Sequence, residues 1–243
     1  MISLFIKEIR SFLSSLIGYV VIGVFLILVG LFMWIFPGEF NILDSGFSNI
    51  DTLFIMAPWV FMFLIPAITM RMFSEERRTG TIEMLLTKPI SDLQIILAKF
   101  LAGLSLVVIA LIPTLVYYFS VSALGSPVGN IDSGAVWGSY IGLLFLASAY
   151  TSIGIFASSL SSNQIVAFLL AVFLCFFLFI GFESIGSFNL FGTLDDLIIN
   201  LGINEHYVAM SRGLIDTRDV LYFFILSLIF ILFTRTVLQS RRW

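Results

Sequence analysis

Residues 133–182 read SGAVWGSYIGLLFLASAYTSIGIFASSLSSNQIVAFLLAVFLCFFLFIGF, a stretch of 50 without one charged side chain. At a helical rise of about 1.5 Å per residue, this far exceeds a single ~30 Å hydrocarbon crossing. The stretch must fold back on itself, and Ser158-Ser159-Leu160-Ser161-Ser162-Asn163-Gln164 is the polar string where a turn fits. A bilayer leaves no water to pair backbone groups, so each half is expected to be a helix.

Four more uncharged runs flank this one: Ser11–Gly38, Thr52–Met70, Phe100–Ile131 and Val220–Thr234. Together they predict an all-α polytopic membrane protein with six transmembrane helices, at roughly 13–36, 52–70, 100–123, 136–160, 165–182 and 219–238. Arg235 ends the last run and can snorkel to the interface. Composition agrees. Of 243 residues, 60% are hydrophobic, 27 are Phe, only 11% are charged, and mean hydropathy is +1.10. A soluble domain carries about 25% charge, so a soluble enzyme is excluded. The first span has Lys7 and Arg10 before it, but its apolar run is too long for a signal peptide and no A-x-A site follows, so it is expected to be retained.

A net charge of −3 with 12 Lys+Arg gives no phosphate-binding face, so nucleic acid is not an expected partner. Cys175 is the single cysteine, which excludes an intrachain disulfide, and its apolar surroundings predict an inert packed thiol. His206 is likewise the single histidine, so a histidine metal site lacks a second imidazole and a structural role is expected.

Basic residues set the expected orientation. With the N-terminus inside, the inner segments hold Lys7, Arg10, Arg71, Arg77, Arg78, Lys88, Lys99, Arg235, Arg241 and Arg242, while the outer ones hold Arg212 and Arg218. Acidic residues lean outward: Glu39, Asp44, Asp51, Asp132, Glu183, Asp195, Asp196, Glu205, Asp216 and Asp219. Trp34, Trp137, Tyr117, Tyr118 and Tyr222 then fall near the outer interface. Both termini are expected to be cytoplasmic.

Three segments are not spans. Residues 2–14 are amphipathic, with Ile2, Phe5, Ile6, Ile9, Phe12 and Leu13 at helical spacing against Ser3, Lys7, Arg10 and Ser14. Such a helix lies in the membrane plane; the alternative is a plain extension of span 1. The inner loop 71–99 is the most informative. Gly80 breaks a charged extension of span 2, and Thr81–Thr87 makes about two turns before Pro89. Ser91 with Gln94 forms a capping box, and Ile90 with Ile95 a hydrophobic staple, starting the helix that becomes span 3. The short helix carries Ile82, Leu85 and Leu86 on one face, ringed by Glu75, Glu76, Arg77, Arg78 and Glu83. That pattern is a docking surface or an inward-packed element; a solvated charge run accounts for Glu75–Arg78 alone but not for Met84, Leu85 and Leu86. The outer loop 183–219 has semi-apolar pieces too short to cross, such as Phe188–Leu201. Gly213 is expected to end a short helix near His206–Arg212, and Asp216 to cap span 6 with Asp219 three residues on.

Within the spans, Gly138/Gly142, Ser148/Ser152 and Gly154/Ser158 are small-xxx-small pairs that allow close helix packing. Pro58, Pro66 and Pro113 are expected to kink spans 2 and 3. An ion-coupled carrier keeps ionisable residues in its spans, and an intramembrane enzyme needs Ser/His or paired Asp; neither pattern is present in the uncharged runs.

The in-plane N-terminal helix, the six spans, the loop Arg71…Glu75…Gly80-Thr81-Ile82-Glu83-Met84-Leu85-Leu86…Pro89…Lys99 and the helical outer segment resemble the type-2 (exporter) class of ABC transporter permeases. The resemblance covers essentially the whole chain as one transmembrane domain, 1–243. The tail His206-Tyr207…Met210-Ser211-Arg212-Gly213-Leu214-Ile215-Asp216-Thr217-Arg218-Asp219-Val220-Leu221-Tyr222-Phe223 is similar to the gliding-motility-associated permease subunits. It implies an elbow helix at 2–12 and a coupling helix that docks a separate ATPase through Glu75, Glu76, Arg77, Arg78, Thr79, Gly80, Thr81, Ile82, Glu83, Met84, Leu85 and Leu86. It also implies ATPases that work as a pair, an auxiliary membrane subunit with a large extracytoplasmic part, and a bacterial inner membrane of the Bacteroidetes type. The permease is then expected twice, as a homodimer with a second permease copy, or once with a comparable six-span partner. No catalytic, cofactor or metal residue is expected here, since the chain has no G-x-x-x-x-G-K-[ST] string to cradle a nucleotide phosphate. A non-transporting scaffold or force-transmitting subunit driven by the same ATPase is the alternative.

Overall fold

The computed structural model describes residues 1–86, 90–188, 192 and 195–240, leaving aside the side chains of Met84 and Leu86. The expected stop at Pro89, the basic residues Lys88, Arg241 and Arg242, and part of the Phe188–Leu201 stretch lie outside the described residues. Among those described, every regular element is helical.

Six helices or helix runs are long and apolar enough to cross a membrane: Leu16–Trp34, Asp51–Arg78, Asp92–Leu124, Ser133–Leu160, Gln164–Ser187 and Thr217–Gln239. In chain order the helices are α1 (Ile2–Leu13), α2 (Leu16–Trp34), α3 (Ile42–Ser45), α4 (Asp51–Thr69), α5 (Arg71–Arg78), α6 (Thr81–Leu86) and α7 (Asp92–Leu111). They continue as α8 (Leu115–Leu124), α9 (Ser133–Leu160), α10 (Gln164–Phe176), α11 (Phe182–Ser187), α12 (Asp195–Ile199), α13 (Ile203–Met210) and α14 (Thr217–Gln239). The uncharged run of 50 divides as expected, with Asn163 capping α10 by accepting from the Ile165 N–H.

Span 4, α9, is the axis of the bundle. It is 72% buried, against 22% for spans 1 and 5, and packs on α4, α5, α7, α10, α13 and α14. Lipid is as apolar as the side chains it meets, so this packing rests on close approach rather than on escape from water. Glycines supply it. A Cβ on Gly138 would lie 2.6 Å from the Gly213 carbonyl oxygen, and one on Gly142 2.7 Å from the Met210 Cβ. Hydroxyls add directional ties: Ser139 donates to the Ser211 carbonyl at 2.8 Å, and the Ser148 and Ser227 hydroxyls lie 3.2 Å apart. At the same end Tyr207 of α13 donates to the Phe54 carbonyl at 2.7 Å, pinning the outer segment into the bundle.

The prolines act unequally. Pro58 and Pro66 sit inside a continuous α4, whereas Pro113 lies in a 3₁₀ turn, Ile112–Thr114, that separates α7 from α8. A π segment at Phe177–Gly181 interrupts span 5, which nothing in the hydropathy pattern announces. At the outer end Gly213 has φ +80, and Asp216 caps α14 by accepting from the Arg218 N–H at 2.9 Å. That backbone hydrogen bond holds the Asp216 carboxyl below the ordinary range.

Candidate functional site: the α1–α5–α6–α7 end of the bundle

The N-terminal helix is a separate element, not an extension of span 1. Ser15 caps α2, accepting from the Gly18 N–H at 3.2 Å, and α1 turns back to pack along α7. Its buried face differs from the expected apolar stripe. Leu4 and Phe12 are buried with Glu8 between them at i+4 spacing, while Ile2 and Ile6 point away, 75% and 40% exposed. The helix therefore has a protein face carrying a carboxylate and a second, exposed apolar edge.

The charged extension of span 2 forms as expected but is not a solvated run. Ser158 near the end of α9 receives the N–H groups of Phe73 and Ser74 at 3.0 and 3.1 Å and donates to the Met70 carbonyl at 2.9 Å. This hydroxyl fixes where α4 passes into α5. The register then turns Glu76 inward, where it lies 2.9 Å from Lys7 and 3.1 Å from Lys99. Lys99 is fully buried; it donates to Glu8 at 2.8 Å and to the Met72 carbonyl, and lies 4.9 Å from the centre of the Phe73 ring. Two ammonium groups and two carboxylates from α1, α5 and α7 thus form one neutral cluster. Burial works to depress the Lys7 ammonium, but Glu76 and then Glu8 outweigh it and hold the group above the ordinary lysine value. Lys7 remains 57% exposed, so its share of the binding is screened. Lys99 has no such access, and removing its partners would strand a charge.

Beyond the cluster the chain turns sharply. The Thr79 hydroxyl donates to the Glu75 carbonyl at 2.9 Å and lies 2.9 Å from the Thr81 hydroxyl; Gly80 between them has φ +72, a conformation that side chains with a Cβ resist. The turn starts α6. Ser91 and Gln94 then form the expected capping box at the start of α7.

Ten of the twelve residues expected to dock a partner divide into three groups; the side chains of Met84 and Leu86 lie outside the described residues. Arg78, Thr79, Gly80, Thr81 and Glu83 are exposed, and Glu75, Arg77 and Ile82 are partly covered. Glu76 and Leu85 are buried in this chain. Two corrections follow. Glu76 is not part of a solvated run, because Lys99 needs a counter-charge. Leu85 is not exposed as an outward anchor would be: it is 9% exposed and lines a cavity of about 400 Å³ with Leu4, Lys7, Thr81 and Ile90. A second cavity of about 400 Å³ opens beside it between Lys7, Ser11, Arg71 and Glu75. Arg71 in turn donates to the Ser15 hydroxyl at 3.1 Å, tying the root of α5 to the hinge between α1 and α2.

The sequence reading missed the role of Glu8, Lys99 and Ser158. A signal was present for two of them. Lys99 is the one charge between Leu93 and Ile131, and Glu8 the one acidic residue before Glu39. Ser158 looked like one more small residue in a packing stripe.

Mechanically, this end is a bracket. The exposed turn 78–81 is joined through α5 to span 2, through Ser158 to span 4, and through Glu76 to both α1 and span 3. The turn is thus tied to three spans by hydrogen bonds and ion pairs rather than by loose loop.

Residues 2–235 match the family model described as ABC-2 family transporter protein. The matched region begins with α1, takes in all the elements of the bracket and ends inside α14. No curated protein matches the sequence closely enough to count as a relative.

Proposed function

The chain belongs to the ABC-2 family of transporter proteins, a membrane permease component of an ABC transporter, and on that premise we propose that it receives the stroke of a separate ATPase at the turn 78–83. The observation that supports this reading is the bracket. Arg78, Thr79, Gly80, Thr81 and Glu83 are the exposed part of a segment otherwise locked into the bundle. A docking tip must be accessible at its end and stiff behind it, since a soft connection would absorb the motion it is meant to pass on. Arg78 and Glu83 offer charge of both signs for a polar groove rim, with half-covered Ile82 between them.

In this reading the end carrying α1, α5 and α6 faces the cytoplasm, both termini lie there, and α1 rests in the membrane plane with Ile2 and Ile6 toward lipid. The ATPase binds as a pair and the permease pairs with a second copy of itself, closing a two-fold assembly. The tail from His206 to Phe223 supports placing the chain with the gliding-motility-associated (GldF-type) permeases of a bacterial inner membrane, with an auxiliary extracytoplasmic subunit.

Co-purification of a co-expressed ABC ATPase tests the docking claim. Arg78→Glu combined with Glu83→Lys should lower ATPase recovery at matched permease levels, whereas Leu85→Ser should lower permease stability first. Full recovery with the double charge reversal would move the docking surface elsewhere. Reconstituted ATPase turnover that does not change when the permease is added would favour the scaffold reading.

A further inference from the structure

The single histidine sits at the opposite end of the bundle in an unusual cradle. His206 Nδ1 lies 2.7 Å from Asp219 Oδ1, and Nε2 lies 2.9 Å from the Asn200 carbonyl oxygen. Its ring stacks on Tyr222 at 3.9 Å between centres, tilted by 21°. The Tyr222 hydroxyl is turned away, donating to the Leu201 carbonyl at 2.7 Å.

Both partners of the imidazole are acceptors: a carboxylate oxygen and a main-chain carbonyl. A neutral imidazole has one N–H and can satisfy only one of them, leaving a nitrogen lone pair facing an oxygen lone pair. The imidazolium donates to both, and its charge is offset by Asp219 and by the face of the Tyr222 ring. We infer that His206 is carried as an imidazolium that latches the segment 200–206 onto the head of span 6, and that loss of its proton unfastens the latch.

The surroundings favour the cation. From α14, Asp219 and Tyr222 face the ring directly, and Asp216 and Arg218 lie at the same helix start. From α13, Glu205 is the chain neighbour and Arg212 follows the helix; from α12 come Asp195 and Asp196. From α11, Glu183 accepts from the Asn204 amide at 2.8 Å. Between residues 183 and 219 there are six acidic and two basic side chains. The latch joins elements that are otherwise distant in function: α13 is anchored to span 2 through Tyr207 and Phe54, while Asp219 and Tyr222 belong to span 6. Releasing the imidazolium loosens one span's grip on the other. Asp219 and the ring are mostly covered, with side-chain exposures of 12% and 16%, so water does not readily replace the carboxylate partner, whereas the Asn200 side of the cradle is open to solvent. Protonation therefore favours the closed arrangement, and loss of the proton at alkaline pH weakens it.

The test uses the full chain in lipid nanodiscs. Amide exchange of residues 200–206, corrected for the intrinsic pH dependence of exchange, is measured at pH 6 and pH 9. The expected result is about tenfold greater opening at pH 9 in the wild type and no such difference in His206→Gln. Equal protection at both values in the wild type, or an unchanged difference in the variant, overturns the inference. Should His206→Gln fail to fold, the wild-type ¹⁵N-histidine spectrum at pH 7 decides, because a free imidazole is mostly neutral there. Two N–H protons on the ring support the latch; a ring with one N–H and a protonated Asp219 overturns it.

Discussion

Lys99 of span 3 donates to Glu8 of the N-terminal helix at 2.8 Å across 91 residues of chain, and its side chain has no exposure at all. Charges in apolar surroundings are retained when something pairs them. This pair explains why α1 folds back along α7 instead of continuing span 1, and why Glu76 turns inward. The candidate docking turn is consequently held from behind by electrostatics as well as by packing.

Removing Lys99 should therefore cost more than a surface lysine would. Lys99→Met leaves Glu8 and Glu76 with only the half-exposed Lys7, 3.5 and 2.9 Å away, as counter-charge, a loss of up to about 3–5 kcal/mol for a broken buried pair. Thermal unfolding of the solubilised protein should show a marked drop in midpoint. Adding Glu76→Gln to Lys99→Met should recover part of it. A midpoint equal to wild type for Lys99→Met alone would mean the cluster contributes nothing to holding α1.

The close approach of α9 to the loop after α13 makes a second prediction. In Gly138→Ala the new Cβ meets Gly213 backbone atoms at 2.6 and 2.7 Å, and backbone cannot swing aside as a long side chain can. Overpacking of this kind costs about 1–3 kcal/mol. Gly23→Ala is the control: a Cβ there meets nothing within 4 Å, and alanine is the better helix former by roughly 1 kcal/mol. The first variant should lower the unfolding midpoint and the second should leave it unchanged or raise it. Equal effects would argue that α9 and the Gly213 turn are not in van der Waals contact.

Orientation can be read directly. Asn130 and Thr79 are both exposed and lie at opposite ends of the bundle. In a background with Cys175 replaced by Ala, Asn130→Cys should react with an impermeant thiol reagent added outside intact cells, and Thr79→Cys only after the membrane is opened. The reverse pattern would place the α5–α6 turn outside and remove the docking proposal with it.

The number of spans, the break at Gly80, the Ser91–Gln94 cap and the Asp216 cap were all legible in the sequence. Each depends on local chemistry: the length of an uncharged run against bilayer thickness, a residue that tolerates positive φ, a side chain that reaches an N–H two or three residues on. The fate of individual loop side chains was not legible in this way. Ile82, Leu85 and Leu86 share a helix face by spacing, but whether such a face meets a partner or the chain itself depends on where α1 lies. The position of α1 in turn depends on Glu8 finding Lys99, a pairing between segments that no period or spacing encodes. The same holds for Ser158, whose hydroxyl serves α5 only because α9 passes beside it. Composition and local patterning therefore determined that the chain is a six-span helical membrane protein with a structured turn between spans 2 and 3. Tertiary structure alone decided which residues of that turn face outward, because a buried charge is satisfied by whichever opposite charge the packing brings within about 3 Å.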